Sequence, residues 1–447
     1  MRLSLFSTPS FVLTASLMMS LLTGGSALAA DSLLAIYERA RDSDPEFQQA
    51  IADRQAREQA LPQAKALLRP SVTLDSTFQT SDSDSTLSGS RSDVEYEQLS
   101  YGVSLSQPLY RYARGQGVDQ ANALVEQANA SFRFAEQALI LRAAERYFAV
   151  LDAREALDAA QASLEAIERQ LEQAEQRFEV GVIARTDVEE AKAQADLARA
   201  QRLQASNELE SRREALRELT DQAPAGLAGL KENVDLSAPS PADSQQWRDR
   251  AQTDNRQLIA ARFAAQAAMQ GVDVERGGRY PQLDLFASYD GVDRYDSASN
   301  DPGSDQFSAG VEVTIPFYQG GGVSARVKEA QFRYTEAREA LEQTRRSVSR
   351  DAANAYRGAM TALERVRALD QARISTQAAL DATEAGFDVG TRTIVDVLNA
   401  QRERFNAERD YEQARHAYLL NTLRLRQAAG SLSVEDLRAV NALLERG

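Results

Sequence analysis

The chain has 447 residues, no cysteine, a single histidine and a formal net charge of -15. That inventory excludes disulfides and thiolate metal sites, argues against a multi-histidine metal centre around His416, and disfavours sequence-independent binding to nucleic acid. Length alone would permit two or three ordinary domains, but the chain turns out to be organised by internal symmetry.

Residues 1–29 read as a secretory signal peptide: a thin positive start at Arg2, the apolar run "FVLTASLMMSLLTG", and the small-x-small site Ala27-Leu28-Ala29. The rest is therefore expected to work outside the cytoplasm. No later stretch reaches the roughly 18 apolar residues of a spanning helix. The periplasm, the medium or an outer-membrane barrel remain.

The mature sequence divides into two related halves, residues 30–225 and 247–429, separated by a Pro/Ser/Asp-rich segment at 226–246 and followed by a tail at 430–447. Each half opens with a helical stretch, from Leu33 and from Trp247. A proline then introduces period-two alternation, Pro70 with Val72 and Leu74, and Pro281 with Leu283 and Leu285. Strands are expected at about 70–80 and 281–290, each followed by a polar loop, "TSDSDSTLSGSRSD" and "GVDRYDSASNDPGSDQ". Return strands are expected at about 99–108 and 307–316. They end in matching phrases that pair Gly102 with Gly310, Pro108 with Pro316 and Tyr110 with Tyr318.

After each return strand the pattern becomes helical for about 60 residues, on the order of 90 Å of helix. Helical hairpins are expected over about 113–219 and 323–429. Leu164, Ile167, Leu171, Ala174 and Phe178 step by three and four. In the first half one heptad seam collects Ala191, Ala195, Ala198, Ala205, Leu209 and Leu216, with Arg202 intruding, and in the second half Ala400, Ala407, Tyr411, Ala414, Tyr418 and Leu425 do likewise. Alanine at these positions lets helix axes approach closely and buries little area, so lateral neighbours are expected.

Four strands cannot close a membrane barrel, whose smallest members have about eight, so several chains would have to pool theirs: two or three fit the arithmetic. Val311, Val313 and Ile315 on one face against Glu312 and Thr314 on the other suit a lipid side and a wet side. Tyr96, Tyr101, Tyr110, Phe286, Tyr289 and Phe317 lie where aromatic girdles would fall. The competing reading is a soluble periplasmic coiled-coil adaptor or tether without a channel. A lipid-anchored duct is disfavoured because no cysteine stands at the mature start.

The duplicated helix-strand-strand-helix-turn-helix order, the phrases ending at Tyr110 and Tyr318, and above all "VGTRTIVDVLNA" resemble the TolC family, the outer-membrane exit ducts of Gram-negative efflux and type I secretion systems. The resemblance covers residues 30 to about 443. It implies a mixed α/β membrane protein: a homotrimer whose twelve strands form an outer-membrane β-barrel, continuous with a long periplasmic α-helical barrel. The segments at 226–246 and 430–447 would form an equatorial belt. It also implies a periplasmic adaptor protein and an inner-membrane RND, ABC or MFS transporter as partners, outer-membrane lipid as surroundings, and neither enzyme activity nor cofactor.

Each helical tip turns at a glycine, Gly181 or Gly390, before a helix start near Thr186-Asp187 or Val395-Asp396. Locally, such residues cap first-turn N–H groups. The resemblance adds a second role, a periplasmic constriction with two acidic rings one helical turn apart. Asp396 matches the first ring, and Asn399 occupies the second, which would be neutral. A single ring should bind multivalent cations less strongly than two, so a possible cation block rests on Asp396. The family's gate latch maps onto Arg392, Asp187, Thr186 and Gln170. Its tyrosine is represented by Phe387, which has no hydroxyl to donate, leaving Arg392 with Asp187 as the main charge-assisted link.

No phosphate-cradling loop, paired histidines or activated nucleophile is present. "YQGGGVS" follows a strand and lacks a lysine after its glycines, and fits a strand-to-helix passage.

Overall fold

The computed structural model describes residues 31–87, 90–224, 226–295 and 303–445, with side chains omitted for 83–96. The expected signal peptide therefore lies outside the described residues, as does the side chain of Tyr96.

The chain begins with α1 (Leu33–Ser43), α2 (Pro45–Glu58) and α3 (Ala60–Ala66). What the sequence pattern reads as one helix is broken at Asp44, whose carboxylate caps α2 through the Glu46 N–H at 3.3 Å, with Pro45 at the first helical position. Proline cannot donate to the preceding turn, so the break is chemically fixed. Next come β1 (Ser71–Leu87) and β2 (Ser90–Arg111), then the 68-residue α4 (Tyr112–Glu179) and α5 (Arg185–Thr220). The second half repeats this order. It runs through α6 (Ser244–Asp254), α7 (Arg256–Arg276), β3 (Gln282–Tyr295), β4 (Ser304–Thr314), α8 (Gly322–Asp388) and α9 (Ile394–Ala428), and the chain closes with α10 (Val434–Asn441).

The polar run after the first strand is not the loop it resembles. β1 and β2 continue through it to Leu87 and from Ser90, because alternating Ser, Thr and Asp can sit on a pleated ribbon whose backbone groups are paired across the hairpin. At about 3.3 Å per residue, β1 is some 55 Å long, well beyond what a tilted strand needs to cross a bilayer. Ile315, grouped with Val311 and Val313 on the sequence, falls just past the end of β4.

The four strands form one antiparallel meander in the order β1-β2-β3-β4. The register aligns Leu74, Val103, Tyr289 and Phe307 in one row, and Val72, Leu105, Ala287 and Ala309 in another two residues away. Between these rows lies Thr73-Ser104-Ser288-Ser308, and beyond them Asp75-Gly102-Asp290-Gln306. Period-two alternation is thereby in phase across all four strands, giving one mainly apolar and one mainly polar face, with Phe286, expected in an aromatic girdle, in the Ser71-Ser106-Phe286-Gly310 row on the polar side. Val72 is 66 % exposed and Phe307 71 %, and among the described residues no element covers the apolar face. On the polar side Arg111 and Asp284 form a two-point ion pair at 2.8 and 2.6 Å. Both sheet edges are open, since β1 pairs only with β2 and β4 only with β3.

Below the sheet, helices pack side by side. Towards the tips the order is α5, α4, α9, α8, and nearer the sheet α3, α4, α7, α8. The main core lies at mid-length, around Tyr147, Phe148, Leu151, Leu216, Leu363 and Leu423. There the flanking segments are tied down by side chains reaching to backbone. The Tyr147 hydroxyl donates to Ala228 O at 2.7 Å, Tyr418 donates to Ser237 O, Arg415 donates to Lys231 O, and Gln137 donates to Gly430 O at 3.1 Å. His416 is buried here, with Nδ1 2.6 Å from Asp152 and its ring against Phe148, a packing role. Most seam residues are buried as their spacing implies. Phe178 is exposed, because α4 is already entering its terminal turn.

Among the described residues no helix is long and apolar enough to cross a membrane, and no group of acidic and histidine side chains could hold a metal ion.

Candidate functional site: the helical tips

Both tips are built the same way, as Schellman turns. After α4, the Gly181 N–H donates to Phe178 O at 2.9 Å and the Val182 N–H to Arg177 O at 2.9 Å. After α8, the Gly390 N–H donates to Phe387 O at 3.0 Å and the Thr391 N–H to Gly386 O at 2.8 Å. The two glycines have φ of 78° and 79°, where a Cβ would be strained.

The helix starts differ from the sequence expectation by a few residues and in one chemical detail. The N-cap of α9 is Thr393, and Asp396 stands three positions later. The Thr393 hydroxyl accepts from the Asp396 N–H at 3.3 Å, while the Asp396 carboxylate accepts from the Thr393 N–H at 2.9 Å and its hydroxyl at 3.0 Å. This reciprocal capping box satisfies two first-turn donors. Those hydrogen bonds from Thr393, helped by the nearby charge of Arg392, hold the Asp396 carboxyl below its usual range. In the first tip the equivalent of Thr393 is Ala184, which has no side-chain acceptor. Only half the box remains there, with Asp187 accepting from the Ala184 N–H at 3.3 Å. The T-x-x-D spacing was legible in the sequence and marks Thr393 as a functional neighbour that reasoning from Asp396 alone overlooks.

Asn399 lies one turn beyond Asp396 on the same helix, and its side-chain oxygen accepts from Arg402 at 2.6 Å. Arg402 also reaches Gln194 at 3.4 Å. Position 399 is therefore neutral and carries a guanidinium beside it.

A cleft of about 620 Å³ separates the two tips, and Arg392, Asp187, Phe387 and Gly390 are all on its walls. Arg392 and Asp187 share this cleft without forming an ion pair within the chain among the described residues. Thr186 is exposed at the second position of α5. Gln170 lies one helical turn up α4 from Gln173 and Ala174 of the cleft wall, and its side-chain carbonyl oxygen is buried with no partner among the described residues. Phe387 has a partner that spacing could not reveal: the Arg177 guanidinium carbon is 4.7 Å from its ring centroid. Arg392 folds back over Gly386, where an added Cβ would come within 2.8 Å of its side chain.

Comparison with known proteins identifies the lineage. The family model described as "Outer membrane efflux protein" matches residues 36–222 and 247–431, one match per half. The chain is 38% identical over 427 residues to the outer membrane protein TolC of Vibrio cholerae, covering 95% of this chain and 96% of that one. It is 34% identical over 437 residues to TolC of Escherichia coli, covering 95% and 87%. The crystal structure of the Campylobacter jejuni CmeC outer membrane channel superposes with a TM-score of 0.77 over 98% of both chains at 14% identity, which shows the shared fold. The chain belongs to the outer membrane efflux protein family, the TolC family of Gram-negative outer-membrane channels with a periplasmic extension.

Proposed function

We propose that three copies of this chain form a passive exit duct that spans the outer membrane and the periplasm and is gated at its helical tips. One observation carries this reading: a four-stranded sheet with an uncovered apolar face and two open edges continues directly into helices about 100 Å long. Open edges in a flat array invite further pairing, and closing them with other copies removes them. Outward apolar rows would meet lipid, and the Ser-, Asp- and Gln-bearing rows would line water. A soluble tether has no use for such a face.

Cargo would be drugs and other small molecules or type I secreted polypeptides, delivered by an inner-membrane pump through a periplasmic adaptor. Energy would come from that pump. At the tips, three Asp396 carboxylates would surround the axis, and Arg392 with Asp187 of neighbouring tips would hold them together. The test is detergent extraction followed by reconstitution in planar bilayers. A trimer giving small, stable single-channel steps supports the duct. A protein that is monomeric without detergent and never conducts would refute it.

A further inference from the structure

The internal repeat relates the second helical hairpin to the first by a shift of 209 positions, carrying Asp187 onto Asp396 and Gly181 onto Gly390. The shift holds at the far end of the hairpin too, where left-handed Asp221 (φ 54°) maps onto left-handed Gly430 (φ 77°). Each surface of α4 and α5 therefore has a counterpart on α8 and α9, and the contacts between halves can be compared with the contacts left open.

Within the chain, α4 packs on α9 through a largely apolar seam. Phe148 and Leu141 of α4 join Leu419 and Leu423 of α9 in the main core, and Gln137 donates to the carbonyls of Gly430 and Leu432 at 3.1 and 3.0 Å. By the repeat, the α8 counterparts of Gln137, Leu141 and Phe148 are Arg346, Arg350 and Arg357. Those of Gly430, Leu423 and Leu419 are Asp221, Glu214 and Glu210. Core positions of the inner seam have thus become arginines on α8 and carboxylates on α5. In one chain α8 and α5 lie on opposite flanks and cannot meet. Arg346, Arg350 and Arg357 line an open cleft of about 360 Å³ together with Arg248 and Arg345, and the Arg248 Nε there is buried without a hydrogen-bond partner among the described residues. The carboxylates of Glu210 and Glu214 are exposed, and among the described residues their ion pairs are with arginines on their own helix, at 2.7 and 3.6 Å. Such surface pairs are weak and free to exchange partners.

We infer that the arginine face of α8 docks against the carboxylate face of α5 on the next copy of the chain. Arg357 then meets Glu210, Arg350 meets Glu214, and Arg346 meets Asp221, in the register that the α4–α9 seam already displays. The inference rests on the reading that copies close into a ring. It adds which flanks meet and what chemistry joins them. At this level the within-chain seam is mainly apolar, with Arg424–Glu145 at 2.8 Å beside it, and the seam between chains is mainly ionic. Charge complementarity fixes register and rejects a shifted neighbour, because a slip would set like charges against one another.

Two experiments test it on the full-length protein in detergent. Reversing Arg350→Glu with Arg357→Glu should lower trimer recovery at least about tenfold while far-ultraviolet circular dichroism stays helical, and adding Glu210→Arg with Glu214→Arg should restore it. Independently, Arg350→Cys with Glu214→Cys in this cysteine-free chain should yield covalent dimers and trimers with a short bis-maleimide. Trimer recovery unaffected by the reversal, no rescue by the compensating pair, or no crosslinking in a wild-type-like trimer would overturn the ionic seam and leave the duct standing. A wild-type protein with no trimer at all would overturn both.

Discussion

The Arg177 guanidinium carbon sits 4.7 Å from the Phe387 ring centroid, joining the last turn of α4 to the last turn of α8 within one chain. The two tips are therefore coupled by a contact that needs no hydroxyl on Phe387. A face-on cation of this kind is worth about 0.5–1 kcal/mol at an exposed site. Phe387→Ala should loosen the tip cleft and raise single-channel conductance, whereas Phe387→Tyr should leave it near the wild-type value. Equal conductance in the alanine variant would show that the contact does not restrain the tips.

Asp396 serves two masters, the capping box of its own helix and the proposed ring. Asp396→Asn keeps an acceptor for the Thr393 N–H and removes the charge. It should weaken block by divalent or trivalent cations in planar bilayers while hydrogen exchange at the start of α9 changes little. Asp396→Ala should weaken block as well and also speed hydrogen exchange at the start of α9, because the acceptor for the Thr393 N–H is gone. An identical block curve in the asparagine variant would sink the ring.

The same carboxylate sets a pH dependence. Its folded-state pKa is depressed by the Thr393 hydrogen bonds, so its contribution is complete above the unfolded carboxylate value and disappears as pH falls through the folded one. Protection of the α9 start should hold from neutral pH to about pH 5 and decline only below about pH 4. Crowding of three carboxylates acts in the opposite direction. An Asp396 titration midpoint above the ordinary range in the trimer would show that ring repulsion outweighs the cap.

Among the described residues Arg392 and Asp187 share the tip cleft without an ion pair to each other, so the proposed latch would join them across neighbouring tips. Arg392→Ser combined with Asp187→Ala should raise conductance without reducing trimer recovery. Unchanged conductance would count against a latch at these residues.

The two tips differ at one cap. Ala184 stands where the second tip has Thr393, and Ala184→Thr should complete the box with Asp187 and stabilise the first tip by about 1 kcal/mol. Slower hydrogen exchange over the first turn of α5 is the expected readout, and faster exchange would mean that the threonine adopts another rotamer.

Much of this architecture is legible in the sequence because it is local. Gly181 and Gly390 announce chain reversals, alanine at heptad spacing announces close-packed helices, and Thr393 with Asp396 spells a capping box, all within a few residues of backbone. Extent was harder to read: serine and threonine are acceptable both in loops and on strands, so only cross-strand pairing carried β1 to Leu87. The sheet's two faces were equally out of reach. Alternation within one strand does not say whether Leu74 aligns with Val103, Tyr289 and Phe307, since register is a relation between strands far apart in the chain, and a slip of one residue would invert it. The Arg177–Phe387 contact and the shared cleft of Arg392 and Asp187 arise in the same way, from helices brought together across about one full length of the repeat. Periodicity and turn chemistry thus fixed which elements form. Packing between distant segments decided which charges face one another, because side-chain proximity across helices and strands depends on three-dimensional register that no single segment encodes.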